Sequence, residues 1–213
     1  MRWMDTERQA LVVTFNATDP EAPTLCEGWN ARRLLGHLVQ REHTPFARML
    51  DETAKAPPGH EKHLGQLVAT AETPEGYQAL VAKFAAGTGP LNPMTWFGDA
   101  VQLIEYVIHH EDVRRGAGPV EPRELPAAQL DALWKRMPLM ARLSYRSSPV
   151  GVSLAWPGKE SAVVHKGADG VVISGGPVEL ALYLGGRRAA AVVDITGKPE
   201  AVASFEKWIS RND

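Results

Sequence analysis

Three residues near the middle of the chain, Glu105, His109 and Asp112, have types and spacing that could hold a metal ion. They lie in the run 96–115, where Phe97, Val101, Leu103, Ile104, Val107 and Ile108 recur at helical spacing. Those apolar positions cover more than half of a helix circumference, so the helix is expected to be largely buried. On the same wheel Glu105, His109 and Asp112 fall within about 60° of one another. Glu105 and His109 are four residues apart, so their side chains meet. A carboxylate and an imidazole in apolar surroundings each need a partner, because a buried unpaired charge is costly. A divalent cation is one such partner, with Glu oxygen and His nitrogen as ordinary ligands. Asp112 would then accept the N–H of the other His109 ring nitrogen. A Glu–His pair that satisfies itself by hydrogen bonding is the alternative, and the helix alone does not choose. His110 lies away from this group on the wheel and is expected at the surface or rim.

Zinc takes at least three protein ligands, so a third must come from a neighbouring helix. His37, in LLGHLV, is the best candidate, at the border of an apolar stripe formed by Leu34, Leu38 and Met49. Taken alone, a histidine there is more often a packed or hydrogen-bonded core residue. His43, beside Thr44-Pro45, reads as exposed, and His60 and His63 flank Glu61 and Lys62 in a solvated segment. His165 ends a strand with no partner nearby in sequence. Cys26 precedes Glu27-Gly28-Trp29, close to a helix start where a thiol pKa can fall. No sequence neighbour supplies the base a nucleophile needs, so Cys26 reads as a partly buried structural cysteine. Trp29 is expected to pack over the start of the His37 helix.

The elements that must position these residues follow from periodicity and punctuation. Asp5 and Thr6 open a helix over 5–17, and Asn30 can cap ARRLLGHLVQREH. Pro45 ends or kinks that helix at Thr44. Segments 60–71 and 74–86 read as helices split at Thr73-Pro74, and Gly116 stops the 96–115 helix. Residues 126–146 read as one more helix, kinked or broken at Pro138. The pattern changes near Ser147. Residues 150–156, 161–165 and 171–174 alternate as strands, followed by a helix over 177–184, a strand over 190–196 and a helix over 199–210. The expectation is a helical part over 1–146 and a small α+β part over 147–213.

Composition sets the outer bounds. The 213 residues carry 23 Lys and Arg against 25 Asp and Glu, a formal charge of −2. That balance argues against a nucleic-acid surface built on overall charge. A hydrophobic fraction of 44% suits a packed core. Cys26 is the one cysteine, which excludes an internal disulfide framework and favours a reducing, cytoplasmic setting. No apolar run approaches the ~20 residues that span a bilayer, and MRWMDTERQ lacks the apolar core of a signal peptide.

With the elements placed, LCEGWNARRLLGHLVQRE resembles the helix that opens the metal-binding domain of mycothiol-dependent maleylpyruvate isomerase-like proteins, within the broad DinB-like four-helix-bundle group. Gly28, Trp29, Asn30 and His37 carry the likeness. Glu105, His109 and Asp112, in EYVIHHED, match the second motif of that family. The resemblance implies His37, Glu105 and His109 as ligands of a divalent metal, typically zinc, with Asp112 behind His109. GVVISGGPVELALYLGGRRAA resembles the small, sterol-carrier-like α+β domain that follows such bundles. Arg33 stands where the family often has an acidic residue. The implied chemistry is that of a thiol-dependent isomerase or S-transferase: a metal-activated thiol, possibly mycothiol, acting on a small electrophilic substrate. A monomer or homodimer without nucleic-acid or membrane partners is expected. A metal-dependent hydrolase using zinc-activated water, or a non-catalytic metal- or small-molecule-binding module, would use the same residues, and fold likeness does not choose among them.

Overall fold

The structure is a computed structural model that describes residues 2–55, 59–89 and 102–211. The chain separates into two compact units, Met1–Glu121 and Pro122–Asp213.

The described helices of the first unit are α1 (Trp3–Ala17), α2 (Ala31–His43), α3 (Pro45–Ala54), α4 (Lys62–Thr70), α5 (Pro74–Ala86) and α6 (Gln102–Arg115). Helix α2 starts where its cap predicts: the Asn30 side chain accepts the Arg33 amide. Thr73 caps α5 in the same way, with Pro74 in the first turn. Pro45 separates α2 from α3. Helix α1 departs from expectation by opening at Trp3 rather than at an Asp5 or Thr6 cap. The Asp5 carboxylate is engaged instead by Arg2 and Arg8. Phe97 and Val101, at the head of the 96–115 segment, lie outside the described residues.

Helices α1, α2, α5 and α6 form the bundle. Helix α1 packs on α5 and α6, and α2 packs on α4 and α5. Leu11, Phe15, Leu34, Leu35, Leu38, Phe84 and Tyr106 fill the shared core. Helices α2 and α6 meet through side chains. His37 lies against His109 and Arg41 against Glu105, so a step up one helix is matched by a step down the other. The two helices therefore run antiparallel.

The second unit contains α7 (Ala127–Trp134), α8 (Met137–Ser144), β1 (Val152–Ala155), β2 (Ala162–His165), β3 (Val171–Ser174), α9 (Pro177–Leu184), β4 (Asp194–Gly197) and α10 (Pro199–Ile209). The sheet order is β2-β1-β3-β4. Strand β1 is antiparallel to β2 and parallel to β3, and β3 is antiparallel to β4. Val152 and Leu154 on β1, and Val171 and Ile173 on β3, alternate into the core. All eight residues of α9 are buried. The fold is α+β, as the pattern of elements predicts.

The stretch 126–146 breaks into two helices as Pro138 predicts, with that proline in the first turn of α8. Its place in the fold and the start of β4 differ from the sequence reading. Both helices pack on α9, and α8 also packs on β2, so this stretch lies in the second unit. Periodicity reveals an apolar face, not the surface it covers. Strand β4 starts at Asp194, since a 3-10 turn takes Arg188–Ala190.

Candidate metal centre

The loop before α2 is shaped by one turn. The Trp29 amide donates to the Cys26 carbonyl at 2.9 Å, and Gly28 takes φ +73°, a left-handed conformation that suits glycine. This accounts for the Gly-Trp pair. Trp29 is thrown onto the first turns of α2, its ring centroid 5.3 Å from that of His37 and 5.1 Å from the Arg33 guanidinium. Arg33 in turn pairs with Glu61. Desolvation pushes the Glu61 carboxyl up, but the Arg33 hydrogen bond and backbone amides outweigh it and hold the group below its ordinary range.

On α6, His109 Nδ1 lies 2.8 Å from Asp112 Oδ2, and Asp112 is fully buried. A carboxylate only accepts, so Nδ1 carries the proton and donates. That leaves the Nε2 lone pair on the other side of the ring, where Glu105 Oε2 is 3.6 Å away. The His37 ring, from α2, has its centroid 5.4 Å from that of His109. His37 and Glu105 thus each approach His109, one from α2 and one from α6, but the three do not bring their ligand-type atoms within 4.8 Å of one another. Arg41, one turn beyond His37, makes an ion pair with the same Glu105 oxygen.

Cys26 has a partner that spacing could not reveal. Its Sγ lies 3.2 Å from Asp112 Oδ2, 86 residues on in sequence. Cys26, His109 and Asp112 form a group whose ligand-type atoms all lie within 4.8 Å of one another. Their separations are those of hydrogen bonds, with thiol and imidazole both donating to one carboxylate oxygen. The loop is tied to α6 by the Leu25 amide, which donates to the Asp112 carbonyl at 3.0 Å. Close packing adds to this: a Cβ on Gly116 would lie 2.0 Å from the Pro23 carbonyl oxygen.

The remaining histidines do not join this group. His110 is buried rather than at the rim, because α1 covers that side of α6. Its Nδ1 is 2.7 Å from Glu7 and its Nε2 2.7 Å from Thr14 Oγ1, which ties α6 to α1. His43 is half-buried rather than exposed, and desolvation, followed by the Lys83 charge, lowers its pKa. His60 is exposed and His63 half-buried, and His165 lies in β2 opposite Val152.

A second polar cluster had no sequence signal. Glu42 accepts the Tyr106 hydroxyl, and Arg8 Nη2 lies 3.4 Å from Glu42 and 2.9 Å from that hydroxyl. Burial pushes the Glu42 carboxyl up, with Arg8 opposing, and burial also raises the Tyr106 phenol. The three come from α2, α6 and α1, so no local pattern links them.

Beside His37 opens a cleft of about 250 Å³, lined among others by Trp29, His37, Gln40, Asp51, Glu61 and Leu64. Asp51 is bound into the fold. Desolvation would raise its carboxyl, but the Leu64 and His63 amides and Gln40 hold it below its ordinary range.

Residues 4–94 match the family model of the mycothiol maleylpyruvate isomerase N-terminal domain. The matched residues all lie within the first unit. The matched span contains Cys26, Trp29 and His37 and stops short of Glu105 and His109. Among solved structures, a crystal structure of a mutant of the mycothiol-dependent maleylpyruvate isomerase is similar with a TM-score of 0.56 at 15% identity, over 92% of this chain and 90% of that one. A second crystal structure of the mycothiol-dependent maleylpyruvate isomerase is 16% identical over the same shares, with a TM-score of 0.39. The first likeness extends the shared fold beyond the domain match. No curated protein matches the chain. Among the described residues, no helix is long and apolar enough to cross a membrane.

Proposed function

We propose that His37, Glu105 and His109 hold a divalent cation, most simply zinc, and that the chain is a thiol-dependent isomerase or transferase. Its thiol would be mycothiol or another low-molecular-weight thiol, and its substrate a small electrophile. The observation that supports this reading is the orientation of His109, whose Nδ1 is fixed by Asp112 while its Nε2 lies 3.6 Å from Glu105, with the His37 ring packed edge-on against the same imidazole. A histidine held by a carboxylate with its other nitrogen free for a ligand is the usual arrangement behind a metal. Two imidazoles and one carboxylate suit zinc, nickel, iron or manganese and leave coordination positions for a small molecule. Such a cation, when bound, supplies a Lewis acid that lowers the pKa of a coordinated thiol. The protein's own residues do the rest. Asp112 keeps His109 in one tautomer. Trp29 shields the His37 ring on one side, and the cleft lets a small molecule reach the same ring.

Elemental analysis of purified protein, followed by turnover assays pairing low-molecular-weight thiols with a panel of activated alkenes, tests the proposal. The expected result is about one metal per chain, consistent with a single three-ligand site, and turnover that requires both thiol and metal. A protein that takes up no divalent metal overturns the metal reading. Metal-dependent turnover that ignores thiol overturns the thiol chemistry and favours hydrolysis at the same residues.

A further inference from the structure

Arg41 has a role that neither the family match nor the ligand motif assigns. It sits on α2 one helical turn after His37, and its Nη1 is paired with Glu105 Oε2. That oxygen is also the one nearest His109 Nε2, at 3.6 Å. The Arg41 side chain is only 7% exposed, so its guanidinium cannot retreat into water. Its Nε is buried with no hydrogen-bond partner among the described residues. As a purely structural bridge this is a poor one, because a buried cation with an unmet donor carries a desolvation cost the pair only partly offsets. What the pair does secure is the direction of a carboxylate whose own side chain is 40% exposed and otherwise able to swing outward.

We propose that Arg41 is a positioning residue that clamps Glu105 toward His109, so that the donor set is assembled before a cation arrives. This rests on the metal reading above. A planar guanidinium fixes the orientation of a carboxylate, whereas an ammonium acts as a point charge and leaves it free to turn. Ligating carboxylates held by such outer partners lose about 10–100-fold in metal affinity when the partner is removed.

The test is titration of the full-length, metal-free protein with Co2+ alone, followed by its visible absorption band. The proteins are wild type, Arg41→Met, Arg41→Lys and His109→Ala. Wild type is expected to bind, and His109→Ala to show no band. Both Arg41 variants should bind about 10–100-fold more weakly, with a shifted band reporting an altered ligand environment. If Arg41→Met does not fold, Arg41→Lys, which keeps the charge but not the fork, decides alone. A bridge that merely braces α2 against α6 would lower the melting temperature of the variants and leave affinity and band unchanged, and that outcome overturns the proposal. Wild-type protein that binds no cobalt overturns the metal reading itself, and the role of Arg41 with it.

Discussion

The two units bury different kinds of side chain. Among the described residues, the first unit buries thirteen polar or charged ones, from Glu7 and Arg8 to Asp112 and Arg115, and the second buries three, Gln129, Ser148 and Glu179. In the second unit the central helix α9 is buried from Pro177 to Leu184, and only Glu179 brings a charge, capturing the Val192 amide. Burying charge costs stability unless each group finds a partner. Such a concentration in one unit marks where the chain gives up stability for something else. Of the candidate ligands at the seam between α2 and α6, only His109 belongs to this buried set, while His37 and Glu105 beside it are half-buried.

This contrast can be broken from either side. The largest effect is expected at the seam: His109→Ala, His37→Ala and Glu105→Ala should each abolish stoichiometric metal uptake, read by elemental analysis after equilibration with zinc. Next comes Glu42→Ala, which strands the buried Arg8 guanidinium and should cost about 3–5 kcal/mol in denaturant unfolding. Leu180→Ala in α9, at a fully buried position, should cost about 2–5 kcal/mol by loss of packing. It should leave metal stoichiometry intact, and a loss of metal there would end the assignment of the site to the first unit. Asp112→Ala should weaken metal binding by about 10–100-fold without abolishing it, as measured by competition with a chelator. The smallest effect belongs to Cys26→Ser. A hydroxyl can still donate to Asp112, so metal affinity should stay within about twofold of wild type in the same competition.

Much of this was legible in the sequence, for identifiable reasons. Asn30, Thr73 and Pro45 are local devices, and each sets a helix boundary without reference to the rest of the fold. Glu105, His109 and Asp112 share one face because helical spacing is also local. The direction of the His109 ring was foreseeable from Asp112 three residues on. Long-range pairings were not. Cys26 meets Asp112 only because the loop before α2 is laid against α6, and Arg8, Glu42 and Tyr106 meet across three helices. His110 looked peripheral because a helical wheel does not include α1. The stretch 126–146 carried the periodicity of a bundle helix but lies with the sheet, since periodicity does not name a partner. The Arg41–Glu105 pair had the same cause, being a contact between helices far apart in sequence.

The hydrogen bond from the Leu25 amide to the Asp112 carbonyl has a further use. Its proton can exchange with solvent deuterium only when the loop lifts from α6, and that motion also separates Cys26 from Asp112. The exchange rate at Leu25 is therefore a clock for the opening of the shell behind His109. It can be read residue by residue in the folded protein, without substrate, turnover or mutation.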